Sequence, residues 1–178
     1  ELTCRDWSSD VCSSDLKIVG CSGTGAYLWV VDDGHYAVPL AIAWARSTIG
    51  SPSRKSQKDQ LDQVIAVIHC SISLNRDEEF LDLEAQSMKA MLTEVALKLG
   101  LLQSERKEDL CKCVDFLVDR ISKKTGVPIV VLQARVAPPP KEYFGKEKYP
   151  MKLIGAPLSY IVRSPSHIQV VRVDEVME

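Results

Sequence analysis

Runs of apolar residues and their polar interruptions divide the chain into segments of two kinds. Residues 63–74 (QVIAVIHCSISL) hold an unbroken apolar stretch, Val64, Ile65, Ala66, Val67 and Ile68, which is how a strand covered on both faces reads. This segment is expected to be the central strand. Asn75 follows with Glu78 three residues on, close to a capping box, and Asp77, Glu78 and Glu79 set negative charge at the positive end of a helix dipole. Leu81, Ala85, Met88, Leu92, Val95 and Leu99 then recur at steps of four and three, predicting one long helix that stops at Lys98 and Gly100. A second helix is predicted after Ser104, with Leu110, Val114, Leu117 and Ile121 as its stripe and Lys123, Lys124 and Gly126 as its end.

On either side the segments read as short strands and turns. Residues 17–20 read as the end of a strand, 21–25 (CSGTG) as a turn and 27–31 as a strand. Asp32, Asp33, Gly34 and His35 have the composition of a hairpin turn, so residues 36–45 are expected to return as a strand, with Pro39 placing it at an edge or a bulge. Residues 47–60 have loop composition. Residues 128–136 read as a buried strand, 137–150 as a stiff proline-rich excursion, and 153–162 and 168–173 as two terminal strands. The expected fold is α/β or α+β: a mixed sheet with an N-terminal β-meander and two consecutive helices packed on it.

In that order, with residues 17–45 as a three-stranded meander and 64–74 as the fourth strand, the chain resembles ribonuclease H-like folds. The resemblance implies metal-binding carboxylates on the first strand and at the end of the fourth. Here those places hold Cys21 or Ser22 and His69 or Cys70, which do not suit two-metal chemistry. A degenerate, nucleic-acid-associated member of that group is therefore one alternative function.

The first residues stand apart. Residues 6–16 (DWSSDVCSSDL) resemble one reading frame of a common sequencing adapter over eleven consecutive positions, and residues 1–16 are expected to be an artefactual, disordered tail. Residues 17–178 then form a single globular domain, expected to be truncated at its N-terminus. Setting the tail aside removes four acids and one base, and the formal charge moves from -2 to +1. No electrostatic partner follows from that balance, and the nearest approach to a basic face, Arg54, Lys55 and Lys58, reads as a solvated loop, so nucleic acid is not expected as a partner. Cys21, Cys70, Cys111 and Cys113 lack the spacing of a zinc site and suggest a reducing compartment, hence a cytoplasmic location. The richest apolar run, residues 37–45, is broken by Pro39, and no membrane partner is expected.

Candidate chemistry is sparse. Ser22, Gly23, Thr24 and Gly25 bring amides and hydroxyls into one turn, which can hold a phosphate if the N–H groups converge. Asp32, Asp33 and His35 combine carboxylates with an imidazole, though a hairpin tip asks for this composition anyway. His69, Cys70 and Ser71 stand near the C-terminal end of the central strand, where open sheets bind ligands, but His69 and Cys70 point to opposite faces and form no thiolate–imidazole pair. Asp33, His35, His69 and Cys70 are thus the candidate catalytic residues, and Ser22, Gly23, Thr24, Gly25, His69 and Ser71 the candidate ligand contacts. No metal or cofactor is expected. Tyr143 and Phe144 behind the prolines suggest a lid or docking surface. The first functional expectation is binding of a small or anionic ligand, such as phosphate, between the Cys21 turn, His69, Ser71 and the proline-rich loop. The second is an interaction or homo-oligomerisation module that uses a sheet edge.

Overall fold

The apolar run after Val64 does form a strand, Ile65–Ile72, in which Ile65, Val67, Ile68 and Cys70 are buried. The computed structural model describes residues 2–4, 19–20, 22–30, 36–49, 65–144 and 149–176. The first half of the chain contains β1 (Leu2–Cys4), β2 (Val19–Gly20), β3 (Gly23–Thr24), β4 (Ala26–Val30), α1 (Ala37–Ile49), β5 (Ile65–Ile72), α2 (Arg76–Glu79) and β6 (Phe80–Asp82). The second half contains α3 (Gln86–Lys98), α4 (Lys107–Thr125), β7 (Val131–Arg135), α5 (Met151–Ile154), β8 (Leu158–Val162) and β9 (Ile168–Val176). Seven strands make one sheet in the order β6-β7-β8-β4-β1-β5-β9, parallel between β6 and β7 and antiparallel elsewhere, while β2 and β3 pair separately. The fold is α/β with a mixed sheet.

Strand register assigns the layers. Val67 and Trp29 face α1 and pack with Leu40, Ala41 and Ala43. Leu132 and Ile161, side by side on β7 and β8, face α4 and pack with Val114 and Val118. Tyr27 and Trp29 alternate with Leu28 on β4, so α1 and α4 cover the same side of the sheet. α3 lies against α4 through Val95, Cys113 and Leu117. Leu28, Val30, Ile68, Cys70, Val131 and Val162 fill the opposite side with Leu74 and Phe80, and the Phe80 ring meets Tyr160 edge-on at 5.7 Å.

Three expectations need correction. Residues 36–45 are not a returning strand but the start of α1. Pro39 falls in the first helical turn, where its missing N–H has no intrahelical acceptor to lose, and Ala37, Leu40, Ala41 and Ala45 bury one helical face. The three-stranded meander behind the ribonuclease H-like order therefore loses its third strand.

The long helix from Asn75 is interrupted as well. Asn75 does cap a helix, accepting from the Asp77 amide, while Glu79 rather than Glu78 returns a carboxylate to the Asn75 N–H at 2.7 Å. That helix ends after one turn, and the chain extends as β6 alongside β7 before α3 begins. Val130 N–H to Glu79 O and Leu83 N–H to Gln133 O continue this pairing at both ends. A ladder to residues about fifty positions away overrides the local helical pattern.

The third correction concerns the leading residues. Leu2–Cys4 are not a tail: they lie between β4 and β5, with Thr3 opposite both Trp29 and His69. An extended segment there satisfies the facing backbone groups of two buried strands. The adapter-like residues 6–16 lie outside the described residues, as do Asp32, Asp33, Gly34, His35 and most of the expected loop at 47–60.

Candidate functional site

The candidate contacts do not converge. β1 is antiparallel to both β4 and β5, so Leu28 is level with Ile68 and Val30 with Cys70. Gly25 therefore stands at the end of the sheet where β5 begins. At about 3.3 Å per residue and about 4.8 Å per strand, His69 is roughly 16 Å from it and Ser71 farther still. No common pocket can be lined by both. The proline-rich segment does not supply a lid either. After Pro140 the chain makes a turn of 3-10 helix, Lys141–Phe144, whose Phe144 is buried among Trp29, Leu40 and Val67 and anchors α1.

At the first location, the turn is occupied by the protein itself. Asp115, on α4, accepts from the Thr24 hydroxyl at 2.7 Å and the Thr24 amide at 3.1 Å, and its other close partner is the Arg163 guanidinium. The Ser22 N–H donates to the Tyr27 hydroxyl, which donates to the Gly23 carbonyl at 2.8 Å. Burial alone would raise the Asp115 carboxyl, yet the Thr24 and Arg163 hydrogen bonds and the guanidinium charge hold it below the usual carboxylate range. The anion that this turn binds is an internal carboxylate. The glycines are explained by packing: a Cβ on Gly23 would meet Val114 at 3.0 Å, and one on Gly25 would meet the Val162 carbonyl at 2.7 Å. Cys111, four residues before Asp115, donates to it at 3.4 Å. Asp115 and Arg163 escape a sequence reading that searches for motifs. The available signal is an acid next to Val114 on the inward side of α4, and an arginine directly after the buried Val162.

At the second location, His69 is 4% exposed and faces the α1 side, while Cys70 faces the opposite side. Burial pushes the Cys70 thiol up, which favours its neutral form among the apolar side chains around it. His69 Nε2 lies 2.9 Å from Asp174 Oδ2 and 3.4 Å from Arg172 Nη2, both on β9. Ser71 borders a shallow cleft of about 450 Å³ with Ser73, Ser166 and His167. Among the described residues that line that cleft there is no Lys, Arg, Asp or Glu, and His167 is its one ionisable side chain. Among the described residues no group of three His, Cys, Asp or Glu side chains could hold a metal ion, and no helix is long and apolar enough to cross a membrane.

The third location is β9 itself. It pairs with β5 along its whole length, and among the described residues no strand pairs with its outer edge. Val170, Val171 and Val173 are 57%, 53% and 53% exposed. The register slips between His69 and Cys70, so Val171 is an inserted residue and Arg172 to Val176 is the regular part, with Arg172 opposite His69 and Val173 opposite Ile68. Among the described residues β9 is thus an edge strand of nine residues that bears exposed valines.

Comparison with known protein families, curated proteins and solved structures finds no match to the chain.

Proposed function

We propose that the chain is an interaction module that takes a β-strand of a protein partner along the outer edge of β9. The carrying observation is that edge: nine residues with no described neighbour and three valines more than half exposed. Soluble chains usually blunt such an edge with charge, proline or a covering element, because main-chain groups there pair readily with any extended segment. β9 carries charge at Arg172, Asp174 and Glu175 but no proline and no described covering element, and its single bulge leaves the Arg172 to Val176 ladder regular. Binding by strand addition needs no catalytic group and no deep pocket, which agrees with thiols held protonated by burial and an anion-binding turn already satisfied by Asp115.

The test is a titration of the folded chain with a synthetic strand peptide of alternating valine and threonine, followed by backbone amide resonances. Binding is expected to shift β9 residues first and to weaken at least tenfold in Val173→Lys, a difference of about 1.4 kcal/mol. Shifts confined to other elements, or equal affinity in the variant, would refute the assignment.

A further inference from the structure

Resting on that edge reading, we infer that the partner strand is β9 of a second copy, joined antiparallel about a two-fold axis through Val173. Side-chain charge and the registers that a sheet allows select this pairing. An antiparallel pair related by a two-fold axis perpendicular to the sheet keeps each residue on its own face. Over the regular stretch Arg172 to Val176, allowed registers therefore differ by steps of two residues.

Four of these registers centre on Arg172, Val173, Asp174 or Glu175. Centred on Arg172, the pairing puts Arg172 directly opposite its own copy. Centred on Asp174 or on Glu175, it puts two carboxylates opposite one another. Like charges directly opposite are destabilising. Centred on Val173, it puts Arg172 opposite the second copy's Asp174 and Asp174 opposite the second copy's Arg172, with the two Val173 side chains in contact between them. Arg172 and Asp174 side chains are 57% and 48% exposed, so each has surface left to receive a partner. The sequence of β9 is thus charge-complementary to itself in one register and self-repelling in the two neighbouring ones, which both selects the occupant and fixes its position. The product is a continuous sheet through both copies, with α1 and α4 of each on one side.

The experiment is sedimentation equilibrium on the full chain, on Arg172→Glu and Asp174→Arg separately, and on their equimolar mixture, each checked for folding by circular dichroism. Wild type is expected to dimerise below about 100 μM, a modest affinity for a strand-sized interface. Each single variant opposes like charges in its homodimer and is expected to associate at least tenfold more weakly. In the mixture the glutamate introduced in one copy faces the arginine introduced in the other, and the unchanged Asp174 of the first faces the unchanged Arg172 of the second. The wild-type dimer fraction should therefore be recovered. Contacts within one chain cannot produce that recovery. Should Asp174→Arg misfold through loss of the His69 contact, Val173→Lys, which sets two ammonium groups on the axis, replaces it and must abolish the dimer. A wild type that stays monomeric at about 100 μM, or a mixture no better than its components, overturns the inference. If that monomer still binds the valine–threonine peptide on β9, only the second copy is excluded; if it binds neither, the edge reading falls too.

Discussion

Arg172 and Asp174 stand two residues apart on one face of β9, with Arg172 Nε 3.2 Å from Asp174 Oδ2, and the same carboxylate oxygen lies 2.9 Å from the buried His69 ring. One acidic side chain therefore ties an exposed edge to the interior. Asp174→Ala removes the carboxylate partner of a ring nitrogen on a residue only 4% exposed. Loss of a partner at a buried polar group costs about 1–3 kcal/mol. Urea unfolding of Asp174→Ala should show an unfolding free energy lower by that amount, read as a lower midpoint at an unchanged slope.

Asp115 gives the chain an acid-sensitive joint. Its carboxyl is held below the ordinary range, so the folded state binds a proton there less readily than the unfolded state does. The resulting stability is present in full above the unfolded value, about 3.9, and is lost as pH falls through the lower folded value. Unfolding midpoints measured from pH 6 downward should fall in wild type below about pH 4, and Asp115→Asn should flatten that part of the profile. Asp115→Ala at neutral pH should cost about 2–3 kcal/mol, because Thr24 and Arg163 both lose their acceptor.

Gly25 precedes β4 where the backbone passes close to β8. A methyl group there would lie 2.7 Å from the Val162 carbonyl and 2.8 Å from the Ile161 side chain. Backbone cannot yield as a flexible side chain can, so Gly25→Ala should destabilise by about 2–4 kcal/mol. Gly100→Ala is the control for space alone, since no atom lies within 4 Å of its added carbon. Its positive φ of 69° adds only the smaller strain of the left-handed region, about 1 kcal/mol.

The three described cysteine thiols are all pushed up by burial. Cys70, Cys111 and Cys113 should therefore react with iodoacetamide at pH 7.5 far more slowly in the folded chain than in urea. Mass spectrometry of the alkylated peptides resolves each site. Rapid native labelling of Cys70 would revive it as a nucleophile.

How much of this can be read from the residues depends on how far apart the interacting parts are. β5 is legible as a strand because its burial is written in consecutive apolar residues, but its expected central place is not borne out: it lies beside the edge strand β9, and the helices and residues 74–80 that cover its two faces give it the apolar run of a central strand. α4 is legible because Gly126 and the lysines before it mark an end that the left-handed φ of 76° confirms. β6 is not legible, since Phe80, Leu81 and Asp82 lie in helical register with α3 and become a strand only through β7, about fifty residues on. α1 reads as a strand because Asp33 and Gly34 before it have the composition of a hairpin turn; Pro39 fits an edge strand and a first helical turn alike, and Ala37, Leu40 and Ala41 decide it only when their common face is counted. The turn at Gly23 is visible in the sequence, but its ligand, Asp115, comes from about ninety residues away. The valines of β9 mark a strand; that no strand among the described residues pairs with its far side follows only from the strand order.

Amide hydrogen exchange along β9, read as a function of chain concentration, addresses the open edge most directly. Roughly every second N–H of an edge strand points away from its neighbour. In dilute chain, about 1 μM, those outward amides should exchange fast while the ones bonded to β5 are slow, and they should slow down as concentration rises toward 100 μM or strand peptide is added. Uniform protection of β9 in the dilute chain, or outward amides indifferent to both additions, would contradict the account.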